Sequence, residues 1–151
     1  IRAKEENIMT IKQISLFAEN KKGTVLYAAK ALAEAHIDIR ALCVADTRDF
    51  GILRMIVSDT DRAFDVLKEQ GCVVSVTDVI GIAIPDVPGG LSNVLGILAE
   101  NDINIEYMYA FITVSGMNAY VVIRVNDNDK ACAVLDEHNI PMVTEEDIKA
   151  L

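Results

Sequence analysis

Cationic residues are scarce in this chain: 14 lysines and arginines stand against 23 aspartates and glutamates, for a net charge of −9 and a pI near 4.6. That balance repels a polyphosphate backbone, and no Lys/Arg cluster stands apart to offset it, so no nucleic-acid partner is expected. Cysteine is equally sparse. Cys43, Cys72 and Cys132 are odd in number and widely spaced, which fits reduced thiols buried as small core residues and not a disulfide framework. No apolar run approaches the ~20 residues that span a bilayer, because residues such as Asp78, Asp86 and Asn101 interrupt the candidates. The charged start Ile1-Arg2-Ala3-Lys4-Glu5-Glu6-Asn7 lacks the apolar segment of a secretory signal, and Met9 reads as a natural start with residues 1–8 upstream of it. These absences lead to the expectation of a cytoplasmic protein without membrane contact.

What is present is apolar and repeated. With 151 residues and 52% apolar content, the chain can bury the core of one ordinary domain or two small ones. Ala33-Glu34-Ala35-His36-Ile37-Asp38-Ile39 aligns with Ala99-Glu100-Asn101-Asp102-Ile103-Asn104-Ile105 at an offset of 66, and Gly23 falls on Gly89 at the same offset. Asp61-Arg62-Ala63 aligns with Asp129-Lys130-Ala131 at 68, so the second copy carries two extra residues in its central hairpin, where insertions cost little.

Each copy reads strand, helix, strand, strand, helix, strand. Val25, Ala28, Ala29 and Leu32 recur with helical spacing, as do Leu91, Val94, Leu95 and Leu98; the second helices carry Ala63, Val66, Leu67 and Ala131, Val134, Leu135. Asp61 and Asp129 fall where helix caps or first-turn acids belong. β-Branched runs fill Ile39 to Ala45, Ile52 to Val57, Ile105 to Val114 and Tyr120 to Val125, with Gly51 and Ser115-Gly116 at the hairpin turns. This order predicts an α+β fold of two tandem ferredoxin-like βαββαβ domains, with both helices on one face of an antiparallel sheet. The boundaries are expected at 10–78 and 79–148. No linker separates them, since Val73 to Ile84 runs on without a turn signal. Thr144-Glu145-Glu146-Asp147 reads as the start of a terminal helical turn. Ile105, Tyr107, Tyr109 and Phe111 alternate with Met108, Ala110 and Ile112, which makes both faces of that strand apolar and predicts a cover from the sister domain or a second chain.

Ligand chemistry fits best between the first strand and first helix of each copy. In Pro85-Asp86-Val87-Pro88-Gly89-Gly90-Leu91 the glycines allow close backbone approach, the free helix N–H groups suit a carboxylate, and Asp86 suits an ammonium group. The same residues also make a turn and helix start without any ligand. Asp86-x-Pro88-Gly89-x-Leu91 after the first strand, with Asn104-Ile105 leading into the second, resembles the ACT domain family; Glu19-Asn20-Lys21-Lys22-Gly23-Thr24-Val25 is a similar motif with Lys22 in place of proline. The resemblance covers residues 10 to 148. It implies allosteric regulatory domains that pair and bind an amino acid between them. Asn20 and Asp86 would then meet the ligand's polar end, and the backbone of Gly23, Thr24, Gly89, Gly90 and Leu91 its carboxylate. Asn104 would complete the second site, and Asp38, the matching residue of the first copy, cannot donate as Asn does. The second copy therefore carries the fuller motif.

Other chemistries fare worse. Stand-alone ACT pairs resemble this chain in length, and some are described as related to acetolactate synthase; nothing here looks like a thiamine diphosphate site, so a regulatory subunit or interaction module is the alternative to a free sensor. Acylphosphatases share the ferredoxin-like topology, but the first loops hold no arginine, and Arg54 and Arg124 lie on third strands. His36 and His138 each end a helix, where the dipole accounts for them. Asn126-Asp127-Asn128-Asp129 is not a calcium loop, because positions six and twelve are Cys132 and His138. The expectation is a non-enzymatic, homodimeric amino-acid-binding protein with no cofactor or metal, and a metabolic enzyme as a further partner.

Overall fold

The computed structural model describes residues 9–19, 21–46, 49–112 and 118–151. Its strands are β1 (Ile11–Glu19), β2 (Ile39–Asp46), β3 (Phe50–Val57), β4 (Val73–Pro85), β5 (Ile105–Ala110), β6 (Asn118–Val125) and β7 (Met142–Val143). Its helices are α1 (Thr24–Glu34), α2 (Thr60–Glu69), α3 (Gly90–Glu100), α4 (Asn128–Glu137) and α5 (Glu145–Ala150). The chain divides into two compact units. The first holds Lys12–Thr77 with Ile148–Leu151, and the second holds residues 9–11 with Asp78–Asp147. β4 is one uninterrupted strand, as its lack of a turn signal predicts, and contributes residues to both.

In the first unit β3 lies between β1 and β2 and is antiparallel to each, with Leu16 opposite Leu53, Glu19 opposite Phe50 and Leu42 opposite Met55. Alternate residues Ile14 and Leu16 of β1 meet Ala28 and Leu32 of α1 and Ala63 and Leu67 of α2 in one buried cluster. In the second unit β6 lies between β4 and β5, and β7 pairs with β4 at Gly81 and Ile82. Counted within the repeat, that strand order is 4-1-3-2, the ferredoxin-like order, and Ile80, Ile82, Val94, Leu98, Ile123 and Leu135 sit in its core. The helical stripes are buried at Ala28 and Leu32, Ala63 and Leu67, Val94 and Leu98, and Ala131, Val134 and Leu135, at about 25 cal/mol per Å² of apolar area removed from water, whereas Val25 and Leu91, in the first turns of α1 and α3, are exposed.

The repeat extends to backbone conformations that a sequence comparison does not display. The six positive-φ residues among those described form three pairs: Gly23 with Gly89 and His36 with Asp102 at the offset of 66, and Gly71 with Asn139 at 68. His36, Asp102, Gly71 and Asn139 all follow helix ends, where a left-handed residue releases the chain from the helix.

Asp61 and Asp129 are first-turn acids of α2 and α4, one of the two places expected for them, and the caps are Asp59 and Asp127, two residues earlier. Two local expectations need correction. Ile105 does not share a face with Tyr107, because a bulge between them turns Ile105 to the helix side with Met108; Tyr109 and Phe111 on the opposite face are only 8% exposed. Of the cysteines only Cys132 is buried, while Cys43 and Cys72 are half-buried. The terminal helical turn is present as α5, closed at its start by a reciprocal pair in which Asp147 N–H donates to Thr144 Oγ1 and Thr144 N–H donates to the Asp147 carboxylate.

Candidate functional site

The four long helices begin in two different ways. α2 and α4 have side-chain caps: Asp59 accepts from Arg62 N–H at 3.2 Å and Asp127 from Lys130 N–H at 3.1 Å. α1 and α3 begin at Gly23 and Gly89, each at φ 88°, and no side chain caps either helix. The first-turn N–H groups after Thr24 and Gly90 thus retain the donor capacity that a cap consumes elsewhere in the same molecule. Both loops close alike, with Thr24 N–H donating to the Lys21 carbonyl and Gly90 N–H to the Val87 carbonyl.

The side chains of the two helix mouths differ. At the first, Thr24 Oγ1 donates to the carbonyls of Glu19 and Lys21, both at 3.1 Å, and Lys21 forms an ion pair with Glu19. The Glu19 carboxylate holds the Lys21 ammonium above its ordinary pKa by that hydrogen bond and by charge. These residues border a cavity of about 250 Å³ whose other members include Leu16, Phe17, Tyr27 and Cys72. Tyr27 is held in place, its hydroxyl donating to Gln70 Oε1 at 2.8 Å. Burial pushes the Cys72 thiol up from its ordinary pKa. At the second mouth the residues equivalent to Glu19, Lys21, Thr24 and Tyr27 are Pro85, Val87, Gly90 and Asn93. The backbone there is tighter: a Cβ at Gly90 would stand 2.3 Å from the Pro85 carbonyl oxygen, so this position takes only glycine.

Gly23 and Thr24 lie at the first mouth, while Asn20 falls outside the described residues. Asp86, Gly89, Gly90 and Leu91 lie at the second, with Asp86 exposed. Asp38 and Asn104 lie elsewhere. Each follows an 11-residue helix whose length of about 16 Å separates it from the mouth of its own unit. Sheet register agrees: Pro85 pairs with Asn118 at one end of β6 and Ile105 with Val125 at the other. Asp38 is engaged there by Arg40 at 2.8 Å and, through its N–H, by Ser58 Oγ. Asn104 N–H donates in the same way to Asn126 Oδ1.

Sequence reasoning passed over Glu19 as a side chain, Lys21, Tyr27 and Cys72. For Glu19 and Lys21 a signal existed in the charge distribution. Residues 12–77 carry nine basic and nine acidic side chains, whereas residues 78–147 carry two basic and twelve acidic. An anionic ligand therefore meets a balanced field in the first unit and a repulsive one in the second, within the screening length of about 8 Å. A wider hollow of about 460 Å³ beside Asp61, Phe64, Asp65 and Val76 offers carboxylates and no cation. Arg124 is structural, donating to the Asp78 carbonyl at 2.8 Å and lying 3.5 Å from Glu106. Among the described residues no group of three or more His, Cys, Asp or Glu could hold a metal ion, and no helix is long and apolar enough to cross a membrane.

Comparison with known proteins agrees with this architecture. Protein BT0572 from Bacteroides thetaiotaomicron, a solved structure, is 43% identical over 96% of this chain and 99% of its own, with a TM-score of 0.89. The regulatory subunit of aspartate kinase from Thermus thermophilus, in its ligand-free form, shares the fold at 17% identity and a TM-score of 0.63, over 86% of this chain and 92% of its own. No curated protein matches the sequence. The family described as an ACT domain pair matches residues 9–151. With two βαββαβ units repeated down to their left-handed residues and a match that runs nearly from end to end, this chain belongs to the ACT domain pair family.

Proposed function

We propose that this chain is a non-catalytic regulatory protein that binds a free amino acid at its helix mouths and passes the bound state on allosterically. One observation carries the reading: the two helices that follow the first strands start uncapped at left-handed glycines, while their sister helices are capped by aspartates. A donor set left open twice, in the same topological slot, suits a small carboxylate. The regulatory role named for the aspartate kinase subunit of the same fold supports it.

The domains are 10–78 and 79–148. The ligand's carboxylate takes the backbone of Gly23 and Thr24, or of Gly89, Gly90 and Leu91, and its ammonium group meets Asn20 or Asp86. Asp38 and Asn104 join only as residues of a second copy, which makes the working form a homodimer in the cytoplasm. The stacked rings of Phe17 and Phe50, 5.3 Å apart and about half exposed, favour a second role as an interaction module for a metabolic enzyme. Acetolactate synthase is the enzyme that role would be tried on first.

A thermal-shift screen of the protein amino acids tests the reading. A ligand present at 100 times its Kd stabilises by about 2.7 kcal/mol, roughly 5–10 °C for a chain of this size. A flat response across the set at millimolar concentrations contradicts it.

A further inference from the structure

The cavity at the first mouth has two chemically distinct parts. Glu19, Lys21 and Thr24 are joined by the ion pair and by the two Thr24 hydrogen bonds, so the polar groups are contiguous. The remaining contacts come from Leu16, Phe17, Ala18, Tyr27 and Cys72. None of these carries a charge. The Tyr27 hydroxyl is already engaged by Gln70, and the Cys72 thiol stays protonated at neutral pH because burial disfavours the thiolate. Against these half-exposed walls a charged side chain would lose part of its hydration and find no opposite charge among them, whereas an apolar one would leave water at about 25 cal/mol per Å². About 250 Å³ lies just below the range typical of drug-sized ligands and is room enough for an amino acid.

We infer that the first mouth is the ligand site and that it selects an α-amino acid with a non-polar side chain. Glu19 receives the ammonium group, and Lys21 adds its charge to the helix-mouth backbone at the carboxylate, each ion exchanging its partner in the loop for its partner in the ligand, while the apolar walls take the side chain. The pair is suited to opening, since the two side chains are 73% and 58% exposed and such pairs hold weakly. The second mouth, with Pro85 and Val87 in place of Glu19 and Lys21, lacks the ion pair, so one ligand binds per chain. This inference rests on the amino-acid-binding reading and adds the side-chain class and the mouth that is used.

Titration calorimetry on the whole chain tests it, with leucine, methionine and phenylalanine set against aspartate, glutamate and lysine. The expected result is one site per chain for at least one non-polar amino acid, and at least tenfold weaker binding of all three charged ones. Glu19→Gln and Lys21→Met each weaken binding tenfold or more, while Lys30→Met, on the exposed side of α1, leaves it unchanged. Bound ligand also slows alkylation of Cys72 by a maleimide at least tenfold without slowing Cys43. Equal binding of a charged amino acid, two sites per chain, or full affinity in both loop variants overturns the inference and leaves amino-acid binding standing. Binding of no amino acid at all overturns both.

Discussion

The two helix mouths share a backbone and little else. Gly23 and Gly89 have the same φ of 88° and begin helices of equal length, yet Glu19, Lys21, Thr24 and Tyr27 on one side face Pro85, Val87, Gly90 and Asn93 on the other. Main-chain geometry is what the fold needs from this loop, because the chain must reverse from strand to helix within a few residues. Side chains are free of that demand. The first mouth surrounds its cavity with charge and aromatic surface, and the second brings the Pro85 carbonyl close against Gly90.

Exchanging residues between the mouths breaks the comparison most directly. Gly90→Thr installs the residue that Thr24 accommodates, but its Cβ meets the Pro85 carbonyl oxygen, and we expect a loss of about 3 kcal/mol in denaturant unfolding. The reverse change, Thr24→Gly, removes only exposed hydrogen bonds and costs about 1 kcal/mol. Similar costs for the two would show the loops to be equivalent after all. Next in size, Gly23→Ala and Gly89→Ala each force a side chain into the left-handed region for about 1–2 kcal/mol. The costs match each other, because a Cβ at Gly23 meets nothing within 4 Å and one at Gly89 only Ser92 Oγ at 4.0 Å.

Capping separates the other helix pair. Asp59→Ala and Asp127→Ala each lower stability by about 1 kcal/mol, since each carboxylate accepts from the N–H three residues on. Smallest is a pH effect. Burial raises the thiol pKa of Cys72 and Cys132 above the unfolded value of about 8.5. The folded state therefore holds protons that the unfolded state releases. Stability is complete below that pH and declines as pH rises through the folded pKa values. Unfolding midpoints followed from pH 7 to 10 reveal the slope, and Cys132→Ala flattens it.

The sequence made the repeat and the fold legible because both rest on periodicity. Val94 and Leu98, like Ala63 and Leu67, are buried where their spacing placed them. Details set by one residue of backbone were not legible. The bulge after Ile105 reverses a face that strict alternation assigned, and the choice between cap and first-turn acid for Asp61 and Asp129 falls on the first turn, with the caps at Asp59 and Asp127. At the helix mouths, the aligned motifs mark the glycines of both copies and are fuller in the second. The cavity depends on Tyr27 and Cys72, 45 positions apart in the chain, and no local motif brings those two together.

Amide NMR titration of the whole chain with a non-polar amino acid separates the two mouths. Saturable shifts are expected over Leu16–Tyr27 and at Cys72, with none over Asp86–Leu91. Shifts confined to Asp86–Leu91, or equal at both mouths, would contradict a site at the first mouth alone.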